Sequence, residues 1–196
     1  MAHICKQNES DSLALIFFER ANNDFKLSGN EWYYAHSLLD VSEYNLYLHY
    51  FSRADSILKL AETYTTDDMY LARFYETKGL YFYELQQYDS ALVYFKKGLP
   101  LWQHEEYRLY SYMKIMQVYL DMDSLAQALP YAQSIIHNTQ NPTFLVNAYY
   151  CMMQDANAKN DTKRLSEYSH ARADAEKSLR DYVSISAETV PKFSEY

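Results

Sequence analysis

The chain has 196 residues, 22 of them tyrosine, only three glycine and four proline, with a formal net charge of −8. So few glycines and prolines argue against an all-β fold built on tight turns, and charged residues at 22% are ordinary for a folded protein. Both halves are acidic, so the basic stripe of a nucleic-acid binder is missing; no apolar run reaches the length of a membrane span.

In chain order, Asp11 to about Phe25 reads as a helix, with Asp11 or Ser12 as its cap and Gly29 in the turn that follows. Ala14, Leu15, Phe18 and Ala21 lie on one face. Asn30 to Tyr50 is a long helical run rich in aromatics. Phe51 to Tyr64 follows, carrying Ala54, Leu58 and Ala61, and Thr65-Thr66-Asp67 supplies a cap for the next helix. Met69 to Leu85 and Tyr88 to Pro100 are two helices joined by the short turn Gln86-Gln87, the spacing of antiparallel neighbours.

Within that pair, Tyr88, Ala91, Leu92, Phe95, Gly98 and Leu99 fall at offsets 0, 3, 4, 7, 10 and 11, one face of a helix with about 3.6 residues per turn. Gly79, Ala91 and Gly98 are places where two helix backbones approach closely, and Tyr75, Phe82 and Phe95 fill the neighbouring holes. Glu105 to Leu120 and Ser124 to His137 form the next pair. There Leu125, Ala128, Leu129, Ala132, Ile135 and Ile136 repeat the same offsets, Met116 stands where Gly79 stood, and Pro130 lies inside the second helix, where it removes a backbone hydrogen bond or kinks the chain. Asn141-Pro142 opens a further pair, roughly Thr143 to Asn157 and Asp161 to Leu179, whose pattern has worn: Leu165 stands at the Ala place and Ser169 at the Phe place. Beyond about Asp181 no pattern is visible, and Pro191 would stop a helix. Ala14, Ala54, Ala91 and Ala128 are separated by 40, 37 and 37 residues.

Tyr75, Gly79, Phe82, Ala91, Phe95 and Gly98 resemble the consensus of the tetratricopeptide repeat, a helix pair of about 34 residues; Gln103 stands where the family has its closing Pro. The resemblance implies an all-α fold of antiparallel helix pairs stacked as a short right-handed superhelix. It gives one repeat domain over 1–181: a leading half repeat at 9–28 and pairs at about 30–64, 66–101, 104–138 and 142–179, with a tail, 182–196, that is disordered or leads to a further segment. The half repeat lacks its first helix, which should leave an apolar face uncovered unless something else covers it.

By the family's geometry the first helices line a concave face. The groove places are then His36, Leu39, Glu43 and Tyr47; Arg73, Glu76, Leu80 and Tyr83; Tyr110, Met113, Gln117 and Leu120; and Asn147, Tyr150 and Gln154. Aromatics, one Met and a few polar groups suit an extended peptide or a partner helix, whereas the basic clamp for a terminal carboxylate known in the family is absent. Tyr75, Tyr88, Tyr112 and Tyr119 sit at packing places.

No glycine-rich phosphate loop, metalloprotease motif or nucleophile elbow occurs. His104, His137 and His170 recur every 33 residues, out of step with a 37-residue repeat, so they drift around the helices and do not converge on a metal. Asp67-Asp68 and Glu105-Glu106 open helices, where acids favour the helix dipole. Neither cofactor nor metal is expected, nor catalysis. Cys5 and Cys151 read as two unpaired thiols that leave the compartment open. Cys5 with Lys6-Gln7-Asn8-Glu9 resembles the start of a mature lipoprotein, without the apolar stretch that would precede it.

The expected partner is therefore a protein or peptide; the oligomeric state is open. Asp89-Ser90-Ala91-Leu92 at the start of a second helix resembles bacterial tetratricopeptide sensor regions, so the module reads as the sensing or interaction part of a sensor kinase or transcriptional regulator, periplasmic if part of a membrane sensor. The alternative is a free-standing adaptor or envelope lipoprotein that scaffolds a complex.

Overall fold

The computed structural model describes residues 2–64 and 67–189, and side chains for 13–64 and 67–181. Among these residues the chain is helical throughout, with no strand. The elements are α1 (Ala2–Leu27), α2 (Glu31–Tyr47), α3 (Phe51–Ala61), α4 (Asp68–Glu84), α5 (Tyr88–Gly98), a 3-10 turn (Leu99–Leu101), α6 (Glu105–Asp121), α7 (Leu125–Asn138), α8 (Pro142–Ala158) and α9 (Thr162–Thr189). The chain divides into two compact units between Glu105 and Glu106.

The period is stricter than the sequence pattern alone implies. α2, α4, α6 and α8 each have 17 residues and start 37 residues apart, as do α3, α5, α7 and α9. Each pair is joined by the same turn. His49, Gln86, Asp123 and Asn160 adopt the left-handed conformation, with φ between 53° and 59°. The amide that follows each reaches back five residues: Tyr50 to Asn45, Gln87 to Phe82, Ser124 to Tyr119 and Asp161 to Ala156, at 2.8–2.9 Å. This is a Schellman closure, which satisfies carbonyls that the helix end would leave bare. The N-termini are capped in the same frame: Asn30 accepts from the Tyr33 amide, Asp67 from Tyr70 and Asn141 from Thr143.

Several boundaries differ from the sequence expectation. α1 starts at Ala2, so Asp11 and Ser12 lie within a helix and do not cap one. α2 stops at Tyr47, because His49 turns the chain. α9 continues to Thr189, so the first part of the expected tail is helical; Pro191, Thr65, Thr66 and the Cys5 side chain lie outside what is described. Pro130 is accommodated inside α7, on its exposed side.

In the first unit the core gathers Tyr34, Ala35, Leu38 and Leu39 of α2, Leu58 and Ala61 of α3, and Tyr70 and Phe74 of α4. In the second it joins Leu109 and Met116 of α6, Ala128, Ala132 and Ile135 of α7, and Phe144, Ala148, Cys151 and Met152 of α8. Burial raises the Cys151 thiol to about 11, so it stays protonated and inert.

One contact repeats with its sides exchanged. A Cβ added at Gly79 would lie 2.6 Å from the Phe95 ring, which is itself buried. In the 37-residue frame the same two places hold Ser42 and Leu58, then Met116 and Ala132, then Met153 and Ser169. Met116 and Ala132 are both fully buried, and the Ser169 hydroxyl lies 3.9 Å from the Met153 sulfur. Two pairs are small on the first helix and large on the second; two are the reverse. Met116 is thus buried together with Ala132, which is small, while in the fourth pair Met153 and Ser169 keep the inverted order but are only half-buried.

The leading helix does not follow the frame. α1 packs on α2 through Leu15 and through Asn22, whose Nδ2 donates to Ser37 Oγ at 2.7 Å. Phe18 and Ala21, at the places where Phe95 and Gly98 are buried, remain exposed. The face read from the sequence is thus partly covered by α2, through Leu15 and the Phe18–Tyr44 ring contact at 5.1 Å, while Leu13, Phe17 and Leu27 on another side are exposed.

Two outcomes follow from this packing. Gly79→Met should destabilise the fold by about 3 kcal/mol through overpacking. Combined with Phe95→Ala it should cost less than the sum of the two single changes by at least about 1 kcal/mol, measured by urea unfolding as a double-mutant cycle. Gln86→Gly should raise stability by about 0.5 kcal/mol, because relief of the left-handed backbone, about 1 kcal/mol, is partly offset by glycine's greater chain entropy; the change in midpoint of a thermal melt checks it.

Candidate partner-binding faces

In the first unit, α2 and α4 run side by side, and a ladder of polar contacts joins them. Trp32 Nε1 donates to the Asp67 carboxylate at 2.8 Å, so the N-cap of α4 is also held from α2. The Trp32 and His36 rings lie 4.1 Å apart, tilted by 39°, and His36 meets the Tyr70 ring edge-on at 5.3 Å. His36 Nδ1 lies 3.5 Å from the Arg73 guanidinium. Arg73 donates to Asp40 at 2.5 Å and approaches Glu43 to 3.7 Å, while the Thr77 hydroxyl donates to Glu43 at 2.7 Å.

These contacts revise part of the groove expected from sequence. Leu39 is fully buried in the core and His36 is 8% exposed, so neither is presented to a partner. α2 is enclosed by α1, α3 and α4, which leaves it a narrower free face than an end-on reading of the repeat implies. Glu43 and Arg73 stay on the face but are engaged with each other. Glu76 and Leu80 are half-buried beside them. Tyr47 is 59% exposed and, with Phe18, Asp40, Glu43 and Tyr44, lines a shallow depression of about 240 Å³. Tyr83 does not share its place: in the 37-residue frame Tyr83 matches the buried Leu46, and its half-buried ring leans on Tyr88 at 5.9 Å.

Electrostatics follow from these positions. Burial, then the neighbouring Arg73 charge, lowers the His36 pKa below the ordinary histidine value. Burial works against the charge of Arg73, but the Asp40 hydrogen bond and the carboxylates of Asp40, Glu43 and Glu76 outweigh it and raise its pKa. The Tyr70 amide lowers the Asp67 pKa most by stabilising its carboxylate; burial opposes it, and the Trp32 hydrogen bond adds to the lowering.

In the second unit several groove places are exposed: Tyr110 of α6, and Asn147 and Tyr150 of α8. Gln117 and Leu120 of α6, Asp121 and Asp123 around its end, Leu125 of α7, and Tyr150 and Gln154 of α8 line a depression of about 330 Å³. Four of these, Gln117, Leu120, Tyr150 and Gln154, are groove places read from the sequence. Gln117 Nε2 donates to Asp121 at 2.9 Å. The Arg172 guanidinium of α9 lies 5.3 Å from the Tyr150 ring, and the Lys114 ammonium 4.9 Å from that of Tyr110. Tyr110 and Tyr150 are 39% and 43% exposed, while Met113 is half-buried and accepts the Asn147 amide at its sulfur at 3.7 Å.

Sequence reasoning passed over Asp40, Thr77, Asp121 and Asp123. The charge of Arg73 was a signal for an acidic neighbour one repeat earlier. The two aspartates at the end of α6 and in the turn after it had none, since the equivalent places in the other pairs are not acidic as a rule.

Helix pairs closed by a common turn, capped in register and packed through exchanged large and small side chains define a tetratricopeptide-like helical repeat fold. No family model matches the chain, and no curated protein matches it in sequence. Solved structures do match. The structure of MamA superimposes with a TM-score of 0.63 over 90% of this chain and 95% of its own, at 15% identity. That of a kinesin light chain from Podosopora anserina, with nearly identical TPR-like repeats, superimposes with a TM-score of 0.63 over 91% and 93%, at 12% identity. At such identities the likeness is one of fold.

Because the folded state lowers the His36 pKa, the unfolded chain binds the extra proton first. Stability should therefore be fully present above the ordinary histidine value and fall as the pH drops through it. Thermal melts between neutral pH and pH near 5 should show this slope, and His36→Phe should flatten it.

Proposed function

We propose that the chain is a non-catalytic module that binds a peptide or a helix of a protein partner on the faces of its first helices. The observation that carries this is the depression beside α6 and α8, where Gln117, Tyr150 and Gln154 converge with Leu120 and two aspartates. Exposed aromatics supply contact area at low entropic cost, and amide side chains supply hydrogen bonds to an extended backbone. Asp121 and Asp123, with a net charge of −8 over the chain, favour partners that carry basic side chains. On the first unit, Tyr47 and the depression it lines with Phe18 offer a second, more apolar contact.

Within that reading, the module serves as the sensing or interaction region of a bacterial regulator, a sensor kinase or a transcriptional regulator. The support is the Asp89-Ser90-Ala91-Leu92 start of α5, which resembles such regions; the step is one of analogy.

The test is quantitative capture from a lysate by the wild-type chain, by Gln117→Ala with Tyr150→Ala, and by Tyr47→Ala. Loss of the Tyr150 anchor should weaken a bound partner by about tenfold, as for a typical aromatic hot spot. If all three proteins capture the same partners equally well, the assignment of these faces fails.

A further inference from the structure

The side of α1 turned away from α2 carries a pattern that neither the packing of the first unit nor peptide binding uses. Leu15 and Asn22 mark the side that meets α2. At about 100° per residue, Leu13, Phe17, Arg20, Asp24 and Leu27 fall on the opposite side. Leu13, Phe17 and Leu27 are 55%, 62% and 76% exposed, which is unusual for large apolar side chains aligned on one helix. Arg20 and Asp24 are also exposed, and among the described residues neither side chain makes an ion pair or hydrogen bond within the chain. By contrast Glu19, one residue earlier, is paired with Arg53 of α3.

Phe17, Arg20, Asp24 and Leu27 are spaced 3, 4 and 3 residues apart. Read in the opposite direction, the spacing is the same, the apolar ends exchange and the two charges change places. An antiparallel second copy, related by a twofold axis passing between the helices at the level of residue 22, therefore sets Phe17 against Leu27 of the second copy. It sets Arg20 against Asp24 of the second copy, and each contact is made twice. This is the layer pairing of an antiparallel coiled coil and the self-complementarity that a twofold interface demands. An unrelated partner helix has no reason to match that palindrome, and a lipid surface would not call for an aspartate at its centre.

We propose that this face of α1 is a self-association surface, through which two copies of the chain pair by their leading helices. The opposite charges decide register as well as attraction, since a slipped or parallel pairing would bring like charges together. The apolar ends supply the area removed from water.

Sedimentation of the 196-residue chain from micromolar to millimolar concentration tests the proposal. The wild type should show a monomer–dimer equilibrium. Arg20→Asp and Asp24→Arg should each weaken it by about tenfold or more, with circular dichroism melts unchanged because both residues lie on an exposed face. An equimolar mixture of the two variants should recover the dimer, since every facing pair is then of opposite sign, and so should the double exchange R20D/D24R. Phe17→Ser, which alters no charge, should also shift the equilibrium to monomer. A wild-type chain that remains monomeric across the range overturns the proposal. So does a dimer that survives both single exchanges, or a mixture that fails to associate.

Discussion

The contact on which the rest of the structure depends is the meeting of one small and one large side chain at the heart of each helix pair. Gly79 lets the Phe95 ring lie where a Cβ would stand. The same turn joins the two helices of every pair. What is conserved from pair to pair is thus a summed volume, not a residue type. In the 37-residue frame the same places hold Ser42 and Leu58, Met116 and Ala132, and Met153 and Ser169, one small and one large side chain each time. A close-packed interior tolerates such exchanges when the total is kept and resists them one at a time.

The joints explain why the period holds at 37 residues. Each turn uses one left-handed residue and one long-range amide bond to close the first helix, and an Asn or Asp opens three of the four first helices. With helix ends satisfied locally, the length of each first helix is set at 17 residues and successive pairs keep step. Asp67 does double duty, since Trp32 of the preceding pair donates to the carboxylate that caps α4. That link, with the contacts of Arg73 to Asp40 and Glu43, joins neighbouring pairs through polar groups on the same face that was expected to receive a partner.

The two units consequently use the same structural places differently. Where α2 is enclosed on three sides, the groove places are drawn inward: Leu39 enters the core, His36 is trapped between Trp32 and Tyr70, and Arg73 is held by carboxylates. On α6 and α8, Gln117, Tyr150 and Gln154 surround a depression. Tyr83 and Tyr47 illustrate the limit of counting along a sequence: a single residue's difference in frame moves one ring against Tyr88 and leaves the other in solvent.

The sequence by itself determined the helical class, the pairing of helices and the close approach at Gly79 and Gly98, because helix periodicity and the absence of side-chain bulk are local properties written residue by residue. Only the tertiary structure decided which groove places are open, that α1 runs unbroken from Ala2, and that Met153 and Ser169 meet. Enclosure depends on how many neighbours surround a helix, and complementary volume belongs to two residues 16 positions apart, so neither is visible in the periodicity of one segment.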